Sequence, residues 1–547
     1  MSLRNAQLGA LRTETFDVLV LGGGINGAVS TACLSAHGAR VGLVERGDFA
    51  SLTSQESSNL AWGGLKYLES FELGLVRKLC QSRNRLMRSY PASVREIRFF
   101  AVHPRSFRHG LWKLYLGAWL YWILGSFFTR KPRRLSTQQL EEEEPVVALE
   151  GCDGGFEYSD ASLEETDARF VWSFVRSAMR QGATAANYVE ALGSSWDGSL
   201  WTTRLRDVTS GATFEVRSRA LVNACGPLVD DQNAASGQGT SHRHLLSKGV
   251  HLIVPRITDS RRVLTFFADD GRPFFVIPLG SRSCIGTTDT PAPSSEVQVT
   301  SEDRRFVLDN VNKRLRLPRP LDETDILAER CGVRPLALRS GSRESVDWLR
   351  LSRKHVVEVD AKRRHLSIFG GKLTDCLNVG EEVTEALGSL GLDLRAPTHP
   401  WFGEPGPEER ARFMAEAASL GLGASNTSSS PEGFQSSKAA RLWRRYGADA
   451  FEVLDRLRAE PSLGQPALEG SDVLRVEVDH AREVELVVHL EDFLRRRSQL
   501  ALVHSREQLR LATGMVELAS SLFGERAEAE LERYFRTSER EPQRGEG

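Results

Sequence analysis

The chain has 547 residues, of which 40% are hydrophobic and 26% charged, a balance that supports large buried cores and excludes global disorder. Its length exceeds one compact domain, so roughly two to four structural units are expected. The 71 basic and 72 acidic residues give a formal net charge of −1, which offers no basis for nucleic-acid binding. Seven cysteines stand singly and are odd in number, so we predict no disulfide framework and a cytoplasmic, reducing location.

The first predicted elements are a strand, a glycine turn, a helix and a second strand. Residues 16–21 are β-prone, residues 22–27 form the turn, and residues 28–37 are helix-prone with Gly38 as the stop. Residues 41–45 form the next strand. Together they predict a βαβ unit of about thirty residues.

The glycine turn carries the pattern GxGxxG at Gly22, Gly24 and Gly27. The first glycine permits a tight turn, the second lets a pyrophosphate approach the backbone, and the third lets helix pack on strand. Glu45 ends the second strand, where a carboxylate can bind ribose hydroxyls. The context predicts a dinucleotide site; the alternative is a turn that serves packing alone. The motif does not distinguish FAD from NAD.

An apolar segment, LWKLYLGAWLYWILGSFF, follows at residues 111–128 with basic residues on both sides. A buried helix is the leading interpretation. An interfacial helix with aromatic rings at the headgroup level is the second. A membrane span is the third, because Lys113 lies inside the segment.

The middle of the chain alternates between helices and strands. We predict a helix at 166–181, an antiparallel pair at 201–206 and 213–218, and a separate buried strand at 220–224. A second pair is predicted at 274–278 and 283–286, which suggests a mixed sheet over an active site.

The last part of the chain is predicted to be helical. A polar stretch at 421–438 reads as a loop, helices are predicted at 439–458 and 482–502, and the end of the chain as a disordered tail. Two charge runs, residues 141–144 and 495–497, are predicted to lie on solvated faces.

Short runs along the chain match the pattern of a known family. They are GGGINGAVSTACLSAHGARVGLVERGDFASLTS, SSNLAWGGLKYLE, GGFEYSDA, LVNACGP, KGVHLIVP, FFVIPLG, IGTTDT, CGVRPL, FGGKLT, RRYGADAFEVLDR and LVVHLEDFLRRRSQLAL. They occur in order from residue 16 to about residue 502. In this the chain resembles the FAD-dependent glycerol-3-phosphate dehydrogenase and oxidase family.

The resemblance implies the fold, the cofactor and the activity. The fold class is α/β (α+β): a Rossmann-like FAD-binding domain interleaved with a β-sheet substrate domain over residues 1–404, and an all-helical domain with its tail over 405–547. FAD is the implied cofactor. The implied activity is oxidation of glycerol 3-phosphate, or a close polyol phosphate, to the ketone, with the electrons passed to an acceptor.

The resemblance also assigns site residues. On the flavin side these are Gly22, Gly24, Asn26, Gly27, Glu45, Thr53, Ser54, Ser58, Gly370, Gly371, Lys372, Leu373 and Thr374. On the substrate side they are Lys66, Tyr67, His251, Arg334 and Lys372, with Arg334 and Lys372 as the cations for an attached phosphate. His251 is the candidate base, since a neutral imidazole accepts a proton near pH 7.

The chain departs from the family pattern at several positions. The family histidine of IHGGLRYLE is Trp62 here, its arginine is Lys66, and the lysine of SSKL is Asn59. The family TYR after GGKLT is DCL at residues 375–377. One base and several cations are therefore missing, which leaves open a different alcohol or amine substrate, or a non-catalytic FAD-binding protein.

Partners and location follow from the same patterns. His242, His244 and His251 have no cysteine or acidic partner at metal-binding spacing, so no metal site is predicted. The sequence leaves the acceptor open between quinone, oxygen and a soluble carrier, and a homodimer is one candidate assembly. The expected location is cytoplasmic, with segment 111–128 as a candidate for peripheral contact with the inner face of the cell membrane.

Overall fold

The structure, a computed structural model, describes residues 2–339, 354–423 and 437–536. It divides into two compact units: one is Gln7–Glu404, and the other comprises Met1–Ala6 with Pro405–Gly547. Most of the predicted loop at 421–438, and the predicted tail, lie outside the described residues. The larger unit contains both sheets and the smaller is helical.

The strands of the larger unit alternate along the chain between two sheets. In chain order they are β1 Thr15–Leu21, β2 Val41–Glu45, β3 Leu60–Ala61, β4 Val94–Pro104, β5 Arg133–Leu135, β6 Cys152–Leu163, β7 Thr184–Asn187, β8 Val189–Trp196, β9 Trp201–Asp207, β10 Thr213–Asn223, β11 His242–Pro255, β12 Val263–Phe267, β13 Pro273–Leu279, β14 Arg282–Gly286, β15 Thr290–Ala292, β16 Ala328–Arg339, β17 Val356–Asp360 and β18 His365–Phe369.

The helices cover the sheets of the larger unit and make up the smaller one. In chain order they are α1 Leu3–Thr13, α2 Ile25–Ala36, α3 Leu73–Ser89, α4 Leu111–Leu124, α5 Thr137–Glu143, α6 Asp167–Arg180, α7 Val229–Ala235, α8 Ser301–Arg314, α9 Cys376–Ser389, α10 Pro407–Ser419, α11 Lys438–Tyr446, α12 Ala450–Ala459, α13 Arg475–Val484, α14 Leu500–Val503, α15 Arg506–Leu511, α16 Met515–Phe523 and α17 Ala527–Arg536.

The first sheet is the predicted dinucleotide-binding layer. Its parallel centre runs β18-β10-β1-β2-β7, with β17 antiparallel at one edge. The inner strands read as continuous apolar runs because both faces are covered. Helix α2 packs against α6 and α9, and residues such as Phe16, Leu19, Trp201 and Leu221 form part of the core.

The second sheet is mixed and larger. Its order is β15-β11-β14-β13-β12-β4-β6-β3, with β16 also paired to β11 and β5 to β6. Phe100, Leu252 and Ile285 pack with Val307 of α8 in its core. Because its strands come from segments between those of the first sheet, the Rossmann-like layer and the β-sheet domain are interleaved, as the resemblance implies.

Three sequence predictions for strands and helices are wrong in detail. Residues 213–218 and 220–224 form one strand, β10, which is antiparallel to β9 in its first half and parallel to β1 over Arg217–Asn223. The helix predicted at 482–502 breaks after Val484 and resumes as a π-helical turn over Asp492–Arg497. The helix predicted at 439–458 is interrupted at Gly447, which has φ +55°.

The prediction that both charge runs lie on solvated faces is wrong in part. Glu144 is buried, and burial raises its pKa. Glu143 pairs with Arg133 at 2.7 Å. Arg496 is also buried and pairs with Asp492 at 2.6 Å. Charge patterning alone reveals neither the charge that β5 brings to Glu143 nor that the turn of Asp492 and Arg496 is buried.

Helix α4 turns much of its apolar surface outward. Leu111, Ala118 and Tyr121 are buried, so one narrow stripe faces the sheet. The opposite face exposes Trp112, Leu116, Leu120 and Ile123, and Phe127 beyond the helix end. The buried-helix interpretation is therefore wrong for this face. Among the described residues, every helix is too short or too polar to cross a membrane.

The inner stripe of α4 belongs to a buried ion network. The Tyr121 hydroxyl donates to the Asp160 carboxylate at 2.8 Å, and Arg83 of α3 donates to the same carboxylate at 2.9 Å. The backbone N–H of Gly63 also donates to it, at 3.0 Å. Arg83 and Asp160 are almost fully buried, so each compensates the other's desolvation.

We predict that Asp160→Asn lowers the stability of the larger unit by about 3–5 kcal/mol, because Arg83 would remain buried without an opposite charge. The matched control is Lys313→Gln, which breaks an exposed pair with Asp269 and should cost at most about 1 kcal/mol. Calorimetric unfolding of both variants measures the difference. Equal losses would contradict the assignment of Asp160 as the compensating charge.

Candidate active site

The glycine turn between β1 and α2 is closely packed. Gly22 has φ +98°, and a Cβ placed on it would lie 2.6 Å from the carbonyl oxygen of Ala224. A Cβ on Gly27 would overlap the carbonyl oxygen of Gly22. Both positions therefore require glycine for the helix to start so close to the strand.

The N-terminus of α2 opens beside this turn. Gly24 is its N-cap and brings no side-chain cap, while Ser54 Oγ accepts the N–H of Ile25 at 3.0 Å. Glu45 accepts from the N–H groups of Gly23 at 2.7 Å and Gly47 at 2.8 Å, and burial raises the pKa of its carboxyl. The arrangement offers a positive helix end next to a buried acid at the end of β2.

Two further predicted segments meet at this helix end. Asn26 donates through Nδ2 to the carbonyl of Gly370 at 3.0 Å, and a Cβ on Gly371 would meet the Asn26 amide at 3.2 Å. The Thr53 hydroxyl donates to the carbonyl of Val333 on β16 at 2.8 Å. The structure thus joins the turn, the 53–58 segment and the 370–374 segment around one region.

Strands β11 and β16 form the floor of the site. In their antiparallel register His251 lies opposite Arg330, and Ser247 lies opposite Arg334. Since cross-strand partners project to the same face, both guanidinium groups share the face of the imidazole. A Cβ on Gly249 would occupy the space of the Arg334 guanidinium, so this glycine leaves room for it.

His251 is a buried neutral imidazole. Burial, followed by Arg334 and then Arg330, lowers the pKa of His251 to about 3. Its Nδ1 is buried and has no hydrogen-bond partner among the described residues. An unprotonated imidazole with a spare nitrogen is the state that a proton acceptor needs.

Arg334 is held by the loop after β14. It donates to the Thr287 hydroxyl at 2.9 Å and to the Thr288 carbonyl at 3.3 Å, and lies 3.4 Å from a carboxylate oxygen of Asp289. The side chain is about one-quarter exposed. A fixed, partly accessible guanidinium is suited to bind a phosphate through two parallel hydrogen bonds.

The departure at Trp62 forms an aromatic cage around Lys372. The Lys372 ammonium lies 4.2 Å from the ring centroid of Tyr67 and 5.5 Å from that of Trp62. The Thr374 hydroxyl donates to the carbonyl of Trp62 at 3.2 Å, which ties the two segments together. Both rings stabilise the cation by cation–π contact. Lys66 lies one residue before Tyr67 in the same short turn.

The added carboxylate, Asp375, turns away from this cage. It accepts from the Ser82 hydroxyl of α3 at 2.8 Å and lies 2.9 Å from Nδ1 of His355. His355 in turn lies 2.8 Å from Glu382. The two carboxylates outweigh burial and raise the pKa of His355. This departure therefore anchors the 370–374 segment to α3.

Sequence reasoning missed Arg330. The residue is 1% exposed and donates from Nη1 to the carbonyl of Ser57 and to Oδ1 of Asn59 at 3.2 Å. The available signal was its spacing: positions 330 and 334 of a strand lie on one face, so the recognised Arg334 implies a second cation beside it.

The geometry fits a bound dinucleotide. The helix end and the close backbone approach at the turn suit a pyrophosphate. The buried Oδ1 of Asn26, which lacks a hydrogen-bond partner in the described part of the chain, is an acceptor that an N–H or hydroxyl of a bound dinucleotide would complete. The sheet face of His251, Arg330 and Arg334 borders the same segments, because Thr53 donates to Val333 and Arg330 donates to Ser57.

Comparison with known proteins matches the larger and the smaller unit to two different family models. Residues 17–358 match the family model of FAD dependent oxidoreductases. Residues 405–529 match the C-terminal domain of alpha-glycerophosphate oxidase. The family is defined by its cofactor, so the dinucleotide is FAD and the chain is an FAD-dependent enzyme.

Individual relatives give the same family. Glycerol-3-phosphate dehydrogenase of Pseudomonas aeruginosa is 31% identical over 90% of this chain and 94% of that protein. Glycerol-3-phosphate dehydrogenase 2 of Mycobacterium tuberculosis is 30% identical over 94% of this chain and 86% of that protein. The fold of the Bacillus halodurans glycerol-3-phosphate dehydrogenase, solved with FAD, matches with a TM-score of 0.72 at 24% identity, over 98% of this chain and 96% of that one. The chain belongs to the glycerol-3-phosphate dehydrogenase family of FAD-dependent oxidoreductases.

Proposed function

We propose that this protein oxidises glycerol 3-phosphate to the corresponding ketone. The observation that carries the proposal is the buried neutral His251, which shares one sheet face with Arg330 and Arg334 beside the flavin-side segments. A proton acceptor next to fixed cations is the constellation that a phosphorylated secondary alcohol requires.

The reaction removes a hydride from C2 of the substrate and a proton from its C2 hydroxyl. FAD, when bound, supplies the two-electron acceptor for the hydride. Gly22, Gly24, Gly27, Asn26 and Glu45 would hold its ADP half. Thr53, Ser54, Ser58, Gly370, Gly371, Lys372, Leu373 and Thr374 would border its ring.

His251 takes the hydroxyl proton. In the free protein burial, followed by the two arginines, disfavours the imidazolium, which keeps the ring ready as an acceptor. A phosphate dianion bound at Arg334 offsets that repulsion, so the basicity of His251 increases only when substrate is present. The base is thereby strengthened in the complex in which it is needed.

Arg334 and Lys372 bind the phosphate and orient the alcohol. Arg334 is fixed by Thr287 and Asp289, and Lys372 by the rings of Trp62 and Tyr67, so little side-chain entropy is lost on binding. Lys66 supplies a further charge where the family has arginine. The substrate is thus recognised by one cation from strand β16 and by lysines from two loop segments.

The first experiment offers glycerol 3-phosphate to the purified protein without oxygen. Bleaching of the oxidised flavin absorption supports the proposal. Bleaching by another alcohol or an amine alone would assign a different substrate. Reduction by dithionite but by none of these compounds would indicate a non-catalytic flavoprotein.

The exposed face of α4 supports a second proposal, which concerns the partner. It is apolar on its outer side, and the exposed cations Lys113, Lys131 and Arg134 border it, with Arg134 lying 5.5 Å from the Trp112 ring centroid. Apolar side chains with a basic rim are complementary to an anionic lipid surface. The protein would dock peripherally there, which favours a lipid-soluble quinone over oxygen as the acceptor.

For the base, we predict that His251→Gln lowers kcat by about 100- to 10,000-fold with little change in KM. Above about pH 7 the substrate phosphate is fully ionised and His251 is neutral, so wild-type kcat should be flat up to about pH 9. In the variant the rate should rise with pH, as hydroxide replaces the lost base. The exposed His399→Gln is the control and should leave kcat unchanged; a similar loss in both variants would exclude His251 as the base.

For the phosphate site, Arg334→Gln should raise KM by about 10- to 100-fold, equivalent to about 1.5–3 kcal/mol for a charged hydrogen bond. Arg334→Lys should fall between the wild type and Arg334→Gln, because it keeps the charge but loses the fork. Steady-state kinetics with glycerol 3-phosphate measures both. Arg339→Gln, an exposed change on the same strand, is the control; an unchanged KM in Arg334→Gln would place the phosphate elsewhere.

For the membrane surface, the wild-type protein should float with phosphatidylglycerol vesicles at low salt and be released as salt rises. Leu116→Ser/Ile123→Ser should weaken binding at least about tenfold, since burying one such side chain contributes about 1.5–3 kcal/mol. Lys113→Glu/Lys131→Glu should weaken it as well, at about 1 kcal/mol per lost charge.

The matched control changes two exposed valines of the same unit, Val208→Ser/Val359→Ser, which should leave flotation unchanged. Absence of vesicle binding by the wild type, together with a dimer that dissociates in Leu116→Ser/Ile123→Ser, would assign this face to a second copy of the chain instead.

A further inference from the structure

Arg330 is a buried guanidinium with only part of its hydrogen-bonding capacity used. Its Nη1 donates to the carbonyl of Ser57 and to Oδ1 of Asn59. Its Nε and Nη2 are buried and have no partner among the described residues. Burying such donors without acceptors is costly, so the arrangement requires an acceptor that a bound molecule supplies.

A purely structural ion pair does not account for Arg330. The carboxylate in reach is Asp167, whose Oδ2 lies 3.9 Å from Nη1, the atom that already serves Ser57. The same Oδ2 accepts the N–H of Asn59 at 3.2 Å. Burial raises the pKa of Asp167 to about 6, so even the charge of this partner is weakened.

The position of Arg330 points to the site. It shares the strand face of His251 and Arg334, and its anchor, Ser57, belongs to the segment that runs past the flavin side. Asn59 is the position at which the family pattern has lysine. Here Asn59 is neutral and accepts from Arg330, so a cation reaches this place from β16 instead of from the loop.

We propose that Arg330 is a second anion-binding residue of the active site, whose Nε and Nη2 donate to an oxygen of the bound substrate phosphate or of the flavin pyrimidine carbonyls. The inference deepens the proposed function and rests on it for the identity of the substrate. The chemistry is the same for both sources: a fixed guanidinium edge binding an oxygen that carries negative charge. Either ligand would also complete the hydrogen bonding of the buried group.

The test uses two measurements on the FAD-loaded protein that need no turnover. The first is the dissociation constant of inorganic phosphate, followed through the flavin absorption. The second is the midpoint potential of the flavin in a dithionite titration against a reference dye. If glycerol 3-phosphate proves not to be the substrate, both still report on Arg330, so the two hypotheses fail separately.

The variants are Arg330→Gln, Arg330→Lys and the double change Asn59→Lys/Arg330→Gln, with Arg339→Gln as the control on the same strand. For a substrate-side contact, Arg330→Gln should weaken phosphate binding by about 10- to 100-fold. For a flavin-side contact, it should shift the potential to more negative values, because a cation stabilises the reduced flavin. The double change should recover part of either effect by returning the charge from the loop.

Either shift supports the proposal and identifies the source of the oxygen. The opposite result is an Arg330→Gln variant with a phosphate affinity within about twofold of wild type, an unchanged potential and only a lower melting temperature. That result would show that Arg330 is a structural partner of Asp167 and would overturn the proposal. If Arg330→Gln does not fold, Arg330→Met decides, because it fills a similar buried volume without a charge, and wild-type values in both measurements would equally overturn the proposal. Arg330→Lys, which keeps the charge but not the fork, should fall between the wild type and the uncharged variant.

Discussion

The site depends on one electrostatic constraint: two guanidinium groups and an imidazole share a face of the β11–β16 pair. Burial of the ring, and after it the two cations, disfavour protonation of His251 and lower its pKa to about 3. The register of the two strands fixes this proximity, and the glycine at position 249 leaves the space that Arg334 fills. A bound anion would offset the repulsion from the two cations, so under the proposed function the binding of a phosphate would strengthen His251 as a base.

Helix α4 links an exposed apolar surface on its outer face to the segment that carries Trp62 and Tyr67. Its outward side chains form the apolar surface, while Tyr121 on the inner stripe donates to Asp160. The same carboxylate accepts the N–H of Gly63, next to Trp62 in the segment that leads to Lys66 and Tyr67. One buried carboxylate thus holds α4 and the aromatic cage in register. Changes confined to the outer face leave that network intact, so the proposed membrane contact can be tested separately from the geometry of the site.

The sequence was informative where structure is local. The βαβ unit and its turn follow from residues within about thirty positions, and β2 has the predicted bounds. Long-range pairing was invisible: β10 spans two predicted strands because its first half pairs with β9 and its second half continues beside β1. The spacing of Arg330 from Arg334 is local, but the partners that indicate its role, His251 opposite it and Asn59 of a distant loop, come from long-range pairing. The exposure of α4 could not be read from composition, because an apolar run does not show which face meets the sheet.

The departures from the family pattern are easier to understand as one redistribution of charge than as separate losses. The loop lacks a histidine and a lysine and has Lys66 in place of arginine. On the strand side, the chain keeps His251 and Arg334 and holds the buried Arg330 beside them. Trp62, in the place of the histidine, does not leave a gap: with Tyr67 it holds the Lys372 ammonium by its ring face. A side chain that titrates near neutral pH is replaced by one that does not, and the remaining cations Arg330, Arg334 and Lys372 are fixed by strands or rings. A fixed cation loses less entropy on binding than a mobile loop lysine, so under the proposed function this redistribution would let fewer loop residues suffice to bind a phosphate.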